Sequence, residues 1–174
     1  MPFLVRKIMR SSNESHLLGC EKHELSNIIA DVTTNEFRTS DGKLSVWLIN
    51  SLEDLKEAAL AICMGGQRIE DLKLMVIDLA EIEAYFSLDK SPGNTAIASL
   101  VDMHRDICGI SHASLTVLLE AYKDAVDSDR CVRYKTKDLK GIIKEALENH
   151  RINIDDVAET NERLAEELRK LQAS

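Results

Sequence analysis

A chain of 174 residues, 44% hydrophobic and 30% charged, has room for one ordinary domain with a real core and too little for two. It has no apolar run near the ~20 residues of a bilayer-crossing helix, and its first residues, MPFLVRKIMR, lack the long apolar stretch of a secretory leader. A net charge of −8 disfavours sequence-independent binding to nucleic acid, because such a protein repels polyanions at long range.

Phe3 to Met9 carries the branched and aromatic residues of a strand. The polar stretch from Arg10 to Glu24 reads as a loop, and Leu25 to Val32 as a short helix. Asp41-Gly42 is turn chemistry, since both residues tolerate positive φ. It delivers the chain into KLSVWLI, 43–49, the strongest strand pattern present, with the only tryptophan, Trp47, at its centre as a core or interface anchor. Ser51 and Asp54 then stand at capping-box spacing before a helix whose apolar face is Leu52, Leu55, Ala59, Ile62 and Cys63. Gly65-Gly66 ends it. A continuous apolar run, LKLMVID at 72–78, follows as a buried strand. Strand, helix and strand make a βαβ-like unit, so the two strands are expected to be parallel with a right-handed crossover.

A short helix is expected over 79–86, and SLDKSPGN, 87–94, reads as a hinge or surface loop. Residues 95–127 repeat apolar positions at 100° per residue, which predicts one long helix or two with a break near Gly109. Thr136 can cap a basic helix running to about Asn149. The last segment carries Ile154, Val157, Asn161, Leu164, Leu168 and Leu171 at alternating three- and four-residue spacings. That is the a/d seam of a short coiled coil, with asparagine at an a position where it often fixes register, so pairing with a second copy is favoured slightly over docking on the chain's own body. The expected fold is α+β, with an α/β-like core unit. It has a sheet of about three strands, four to six packing helices, a single domain over 1–150 and an amphipathic helix over 151–174.

Two histidine–cysteine clusters are the most site-like features. His16, Cys20 and His23 stand in the presumed loop at spacings that could supply three zinc ligands. His104, Cys108 and His112 recur every four residues along the predicted long helix, where burial among apolar neighbours is the commoner role. His104-Arg105-Asp106 spells the kinase catalytic triplet without the glycine-rich loop or D-F-G that would give it meaning, and Gly65-Gly66 lacks the G-K-[ST] ending of a phosphate loop. Asp78, Glu81 and Glu83 gather near a strand end, where solvated caps explain them. No catalytic residue and no cofactor is nominated. Four widely spaced cysteines, Cys20, Cys63, Cys108 and Cys131, suit reduced thiols in a cytoplasmic setting.

Charge is segregated. Residues 1–129 hold 12 basic and 21 acidic side chains, whereas 130–144 hold six basic (Arg130, Arg133, Lys135, Lys137, Lys140 and Lys144) against one acidic. A solvated face is the usual meaning of such a strip. The resulting expectation is a non-enzymatic interaction or accessory protein, of inhibitor, antitoxin or immunity type, that meets a basic protein partner and self-associates through its tail. The alternatives are a small metal-dependent hydrolase or metal-regulated protein using a histidine–cysteine cluster, and a nucleic-acid-binding regulator using the basic strip.

Overall fold

Leu4 and Val5 are neighbours in sequence and both fully buried, which a strand allows only when each face of its sheet is covered. The computed structural model, which describes residues 1–9, 17, 36–39 and 41–173, shows how. Its strands are β1 (Phe3–Lys7), β2 (Leu44–Ile49), β3 (Leu72–Asp78), β4 (Ser87–Lys90), β5 (His104–Cys108) and β6 (Cys131–Tyr134). They form one six-stranded sheet in the order β4-β5-β2-β1-β3-β6, every neighbouring pair antiparallel.

The sheet is twice the expected size, and the three additional strands come from segments assigned otherwise. β4 lies in the presumed 87–94 hinge, β5 in the presumed long helix and β6 in the basic strip. The α/β-like core unit is corrected as well: the two strands run the same way, as expected, but among the described residues the sheet has no parallel pair. β2 and β3 each pair antiparallel with β1, which lies between them, so they run the same way without sharing a hydrogen bond. A crossover over one intervening strand produces the same strand–helix–strand pattern as a true parallel pair, and only the distant partner β1 distinguishes them.

Five α-helices lie whole within the described residues: α1 (Leu55–Met64), α2 (His112–Asp127), α3 (Thr136–Glu148), α4 (Ile154–Thr160) and α5 (Glu162–Gln172). A 3-10 turn, Leu52–Asp54, leads into α1 behind Ser51, whose backbone N–H donates to Asp54 Oδ2 at 3.1 Å. The short helix expected over 79–86 reduces to a 3-10 turn, Leu79–Glu81, capped by Asp78 Oδ1 accepting from Ala80 N–H at 3.1 Å.

One face of the sheet presents Val5, Trp47, Ile49, Leu72, Leu74 and Val76 to α1, α3, α4, α5 and the 3-10 segment Ala98–Met103. Alanines at 58, 59 and 61 are fully buried on α1, which lets that helix sit between sheet and outer helices. The other face presents Leu4, Leu44, Val46, Met75, Ile77 and Ile107 to α2, Phe37, Ile82 and Phe86. No helix among the described residues is long and apolar enough to cross a membrane.

The tail also differs from the heptad expectation. It is two helices, not one, because Asn161 adopts φ −153° and ψ 83° and caps α5, its Oδ1 accepting from Leu164 N–H at 3.1 Å. Val157, Leu164 and Leu168 are buried in the chain's own core, and Ile154 and Leu171 pack against it. The seam is filled from within the same chain. The asparagine is a helix breaker and cap here, a role that three-and-four spacing does not distinguish from a coiled-coil register residue.

Candidate functional site

Two hollows among the described residues meet at one turn, where α1 ends and the chain heads for β3. Gly65 N–H donates to Ala61 O at 3.2 Å and Gly66 N–H to Cys63 O at 3.0 Å, closing the helix. Glycine is required at 65, because a Cβ there would meet Asn94 O at 2.7 Å. Two ties from the tail hold the turn. Asn161 Nδ2 donates to Gly66 O at 2.8 Å, and Ile69 N–H donates to Glu167 Oε2 at 3.0 Å.

Opposite lies the loop 91–97, which is anchored to the sheet by His104. That imidazole is 4% exposed, stands edge-on to Trp47 with ring centroids 5.0 Å apart, and places Nδ1 2.7 Å from Ser91 Oγ and 3.2 Å from Ser91 O. Burial pushes its pKa down, with the Asp106 charge and the Ser91 hydrogen bond acting the other way. Gly93, at φ +63°, crosses the face of the ring so closely that a Cβ would lie 2.6 Å from it. The backbone there reaches a conformation that only glycine adopts freely.

Between turn and loop opens a hollow of about 470 Å³, lined by Gln67, Asn94, Thr95, Asp156, Thr160 and Asn161 together with the glycine backbones, Met64 and Ala96. Asp156 is its one charged lining residue. A second hollow, about 270 Å³, lies against the same Gly66 and Gln67 and is lined by Lys7, Ile62, Cys63, Arg68, Glu70 and Leu72. Chemically, the first offers amide and hydroxyl groups that donate and accept, and the second an apolar floor under paired charges.

The residues singled out from sequence fall elsewhere. His16, Cys20 and His23 lie outside the described residues. His104, Cys108 and His112 do not share a helix: the first two begin and end β5, and the third opens α2 beyond Gly109, whose φ of +79° makes the break. Among the described residues no three histidine, cysteine, aspartate or glutamate side chains gather as a metal site would need. Cys108 Sγ donates to Asp89 Oδ2 at 3.3 Å, and its pKa is raised by desolvation and then by that carboxylate, the opposite of an activated thiol. Strand geometry puts Asp106 on the same side as His104, where it accepts from Ser45 Oγ at 3.3 Å.

The basic strip is divided by the fold. Arg130 donates to Glu81 at 2.9 Å and Arg133 to Asp71 at 2.7 Å. Asp71, which also accepts from the Thr136 N–H and hydroxyl at 2.8 Å each, is held down to about 2, chiefly by Arg133. Lys135, Lys137 and Lys140 are exposed and Lys144 is half-buried. Two of six cations are therefore structural ties across β3 and its flanks.

Sequence reasoning did not find the two hollows. The available signal was the pair of glycine-bearing turns, Gly65-Gly66 and Pro92-Gly93, which read singly as a helix stop and a loop. No family model, curated protein or solved structure matches this chain.

Proposed function

We propose that this protein works by binding rather than by chemistry, as an inhibitor, antitoxin, immunity or accessory protein, and that a basic protein partner lays a segment into the 470 Å³ hollow. One observation carries the reading: apart from Met64 and Ala96, the hollow is lined by amides, hydroxyls and glycine backbone, with Asp156 as its single charge. Gln67 and Asn94 each carry a donor and an acceptor, the pair that a peptide backbone requires. Asp156 supplies a counter-charge for a lysine or arginine, and Asp155 and Glu159 stand exposed beside it on α4. The acidic balance of the whole chain would draw such a partner in.

Self-association through the tail is not part of this reading, because the seam is occupied by the chain's own core. Cys63 and Cys108 are free thiols, which fits a cytoplasmic setting.

The test is a photo-crosslinking residue at Thr95, on the lip of the hollow, with the same residue at exposed Lys140 as control. The expected result is a basic protein captured from 95 and not from 140, and lost as salt rises from about 0.05 to 0.5 M, where screening shortens to a few ångströms. Equal capture at both positions, an acidic partner, or capture indifferent to salt would overturn the proposal.

A further inference from the structure

The smaller hollow differs in kind from the larger, and its lining divides into two halves. Ile62, Cys63 and Leu72 make an apolar floor. The Cys63 thiol belongs with the apolar groups, since burial pushes it up to about 11 and keeps it neutral. At the rim, one carboxylate is shared by two cations: Lys7 Nζ lies 3.3 Å from Glu70 Oε1, and Arg68 Nε lies 2.9 Å from Glu70 Oε2. Hydrogen bonds from Arg68 and then Lys7 hold Glu70 below the usual carboxylate range. The rim is therefore a place where two cations converge on a carboxylate, one at each oxygen, directly above an apolar floor.

We propose that this hollow is a binding site for a small alkyl carboxylate. The alkyl chain lies on Ile62, Cys63 and Leu72, and the ligand's carboxylate takes the place of Glu70 between Lys7 and Arg68. Three features select this class. The volume, about 270 Å³, falls just below the ~300–1,000 Å³ of ordinary ligand pockets, which excludes nucleotides and large amphiphiles. The rim cations, Lys7 and Arg68, both face Glu70, and once Glu70 turns away they present two donors to an incoming anion, with Glu167 held on the Ile69 N–H. The cations already grip a carboxylate through both oxygens, a spacing that a single-point anion would use only in part.

Glu70 is the resident competitor. Its side chain is 46% exposed, and exposed ion pairs are weak, so it can turn out to solvent. Being tethered, it acts at high effective concentration, and binding to the native protein is correspondingly weak. The site stands on its own observations and does not depend on what occupies the larger hollow.

The experiment is a titration of methyl-labelled protein with hexanoate, read at the Ile62 and Leu72 methyl signals, beside hexanol and hexylamine. Saturable shifts with hexanoate and little change with the other two are expected. Glu70→Gln removes the competing charge while keeping its shape, and tightens hexanoate binding about tenfold. The pair Lys7→Gln and Arg68→Gln abolishes it, with the amide spectrum reporting that the fold persists. Equal shifts with hexanol, no shift at either methyl, or no tightening in Glu70→Gln would overturn the assignment. The hexanol contrast and the Glu70 variant decide the matter even where the double variant fails to fold.

Discussion

The two layers that cover the sheet are built on different principles. The layer of α1, α3, α4 and α5 is largely aliphatic within, its buried polar side chains on the sheet, His104 and Asp106, both standing on β5, and its other ties lie at the perimeter: Asn161 to Gly66, Glu167 to Ile69, and Arg151 to Glu57. The layer of α2 and Phe37 carries charge inside it. Glu36 is fully buried with Oε2 accepting from Met9 N–H at 3.0 Å, and Lys123, 6% exposed, reaches Asp127 at 2.5 Å. Arg6 donates to Glu36 O at 2.9 Å and Ser45 O at 2.7 Å, and burial pushes it down to about 10. The first layer is held by shape and the second partly by hydrogen-bonded charge. Removing a methyl group damages one, and removing a donor damages the other.

Substitution can break this contrast. The largest effect belongs to Leu168→Ala, which empties a fully buried site in the aliphatic layer and should cost about 2–5 kcal/mol in urea unfolding. A cost no greater than that of an exposed alanine substitution would mean that the tail is not part of the core. Arg6→Ala leaves two carbonyls without their charged donor and should cost about 1.5–3 kcal/mol. A leucine at 6 that restored stability would show that the second layer needs volume rather than charge.

Asn161→Ala removes a cap and the bond to Gly66 and should cost about 1–2 kcal/mol. Asn161→Asp keeps the cap and loses the Nδ2 donor, so the two variants together separate capping from docking. The smallest effect is a pH dependence. Since the His104 pKa is lowered on folding, the unfolded chain binds the proton more readily. This contribution to stability is whole above the unfolded value of about 6.5 and is lost as pH falls through the folded one. Unfolding midpoints measured from pH 7.5 to 5 should fall more steeply in the native protein than in His104→Gln.

The elements most legible in sequence were those whose signal is local. The strand at 72–78 coincides with β3, and the glycines at 65 and 66 stop α1 where expected. Asp41 and Gly42, at φ +53° and +72°, make the turn into β2. What failed depended on remote partners. HRDIC at 104–108 fits a helical stripe and a strand equally well over five residues, and pairing with β2 and β4 decides for the strand. Serine, leucine, aspartate and lysine at 87–90 have no strand signature of their own and are drawn out by β5. The heptad spacing marks Val157, Leu164 and Leu168 as covered positions, and the chain's own core covers them; docking and pairing stand nearly even in the sequence because spacing says which residues are covered and not by what. Neither hollow was legible, since each is bounded by residues 60 or more apart in sequence that come together only in the folded chain.

One bond ties these threads together. Asn161 Nδ2 grips the carbonyl of Gly66, and Gly66 is a wall of both hollows. The final twenty residues are thus a strut under both cavities. Trimming them, or fusing a bulky partner tightly behind them, would slacken the turn at 65–68 and reshape both recesses at once, so tags for any binding measurement belong at the opposite terminus.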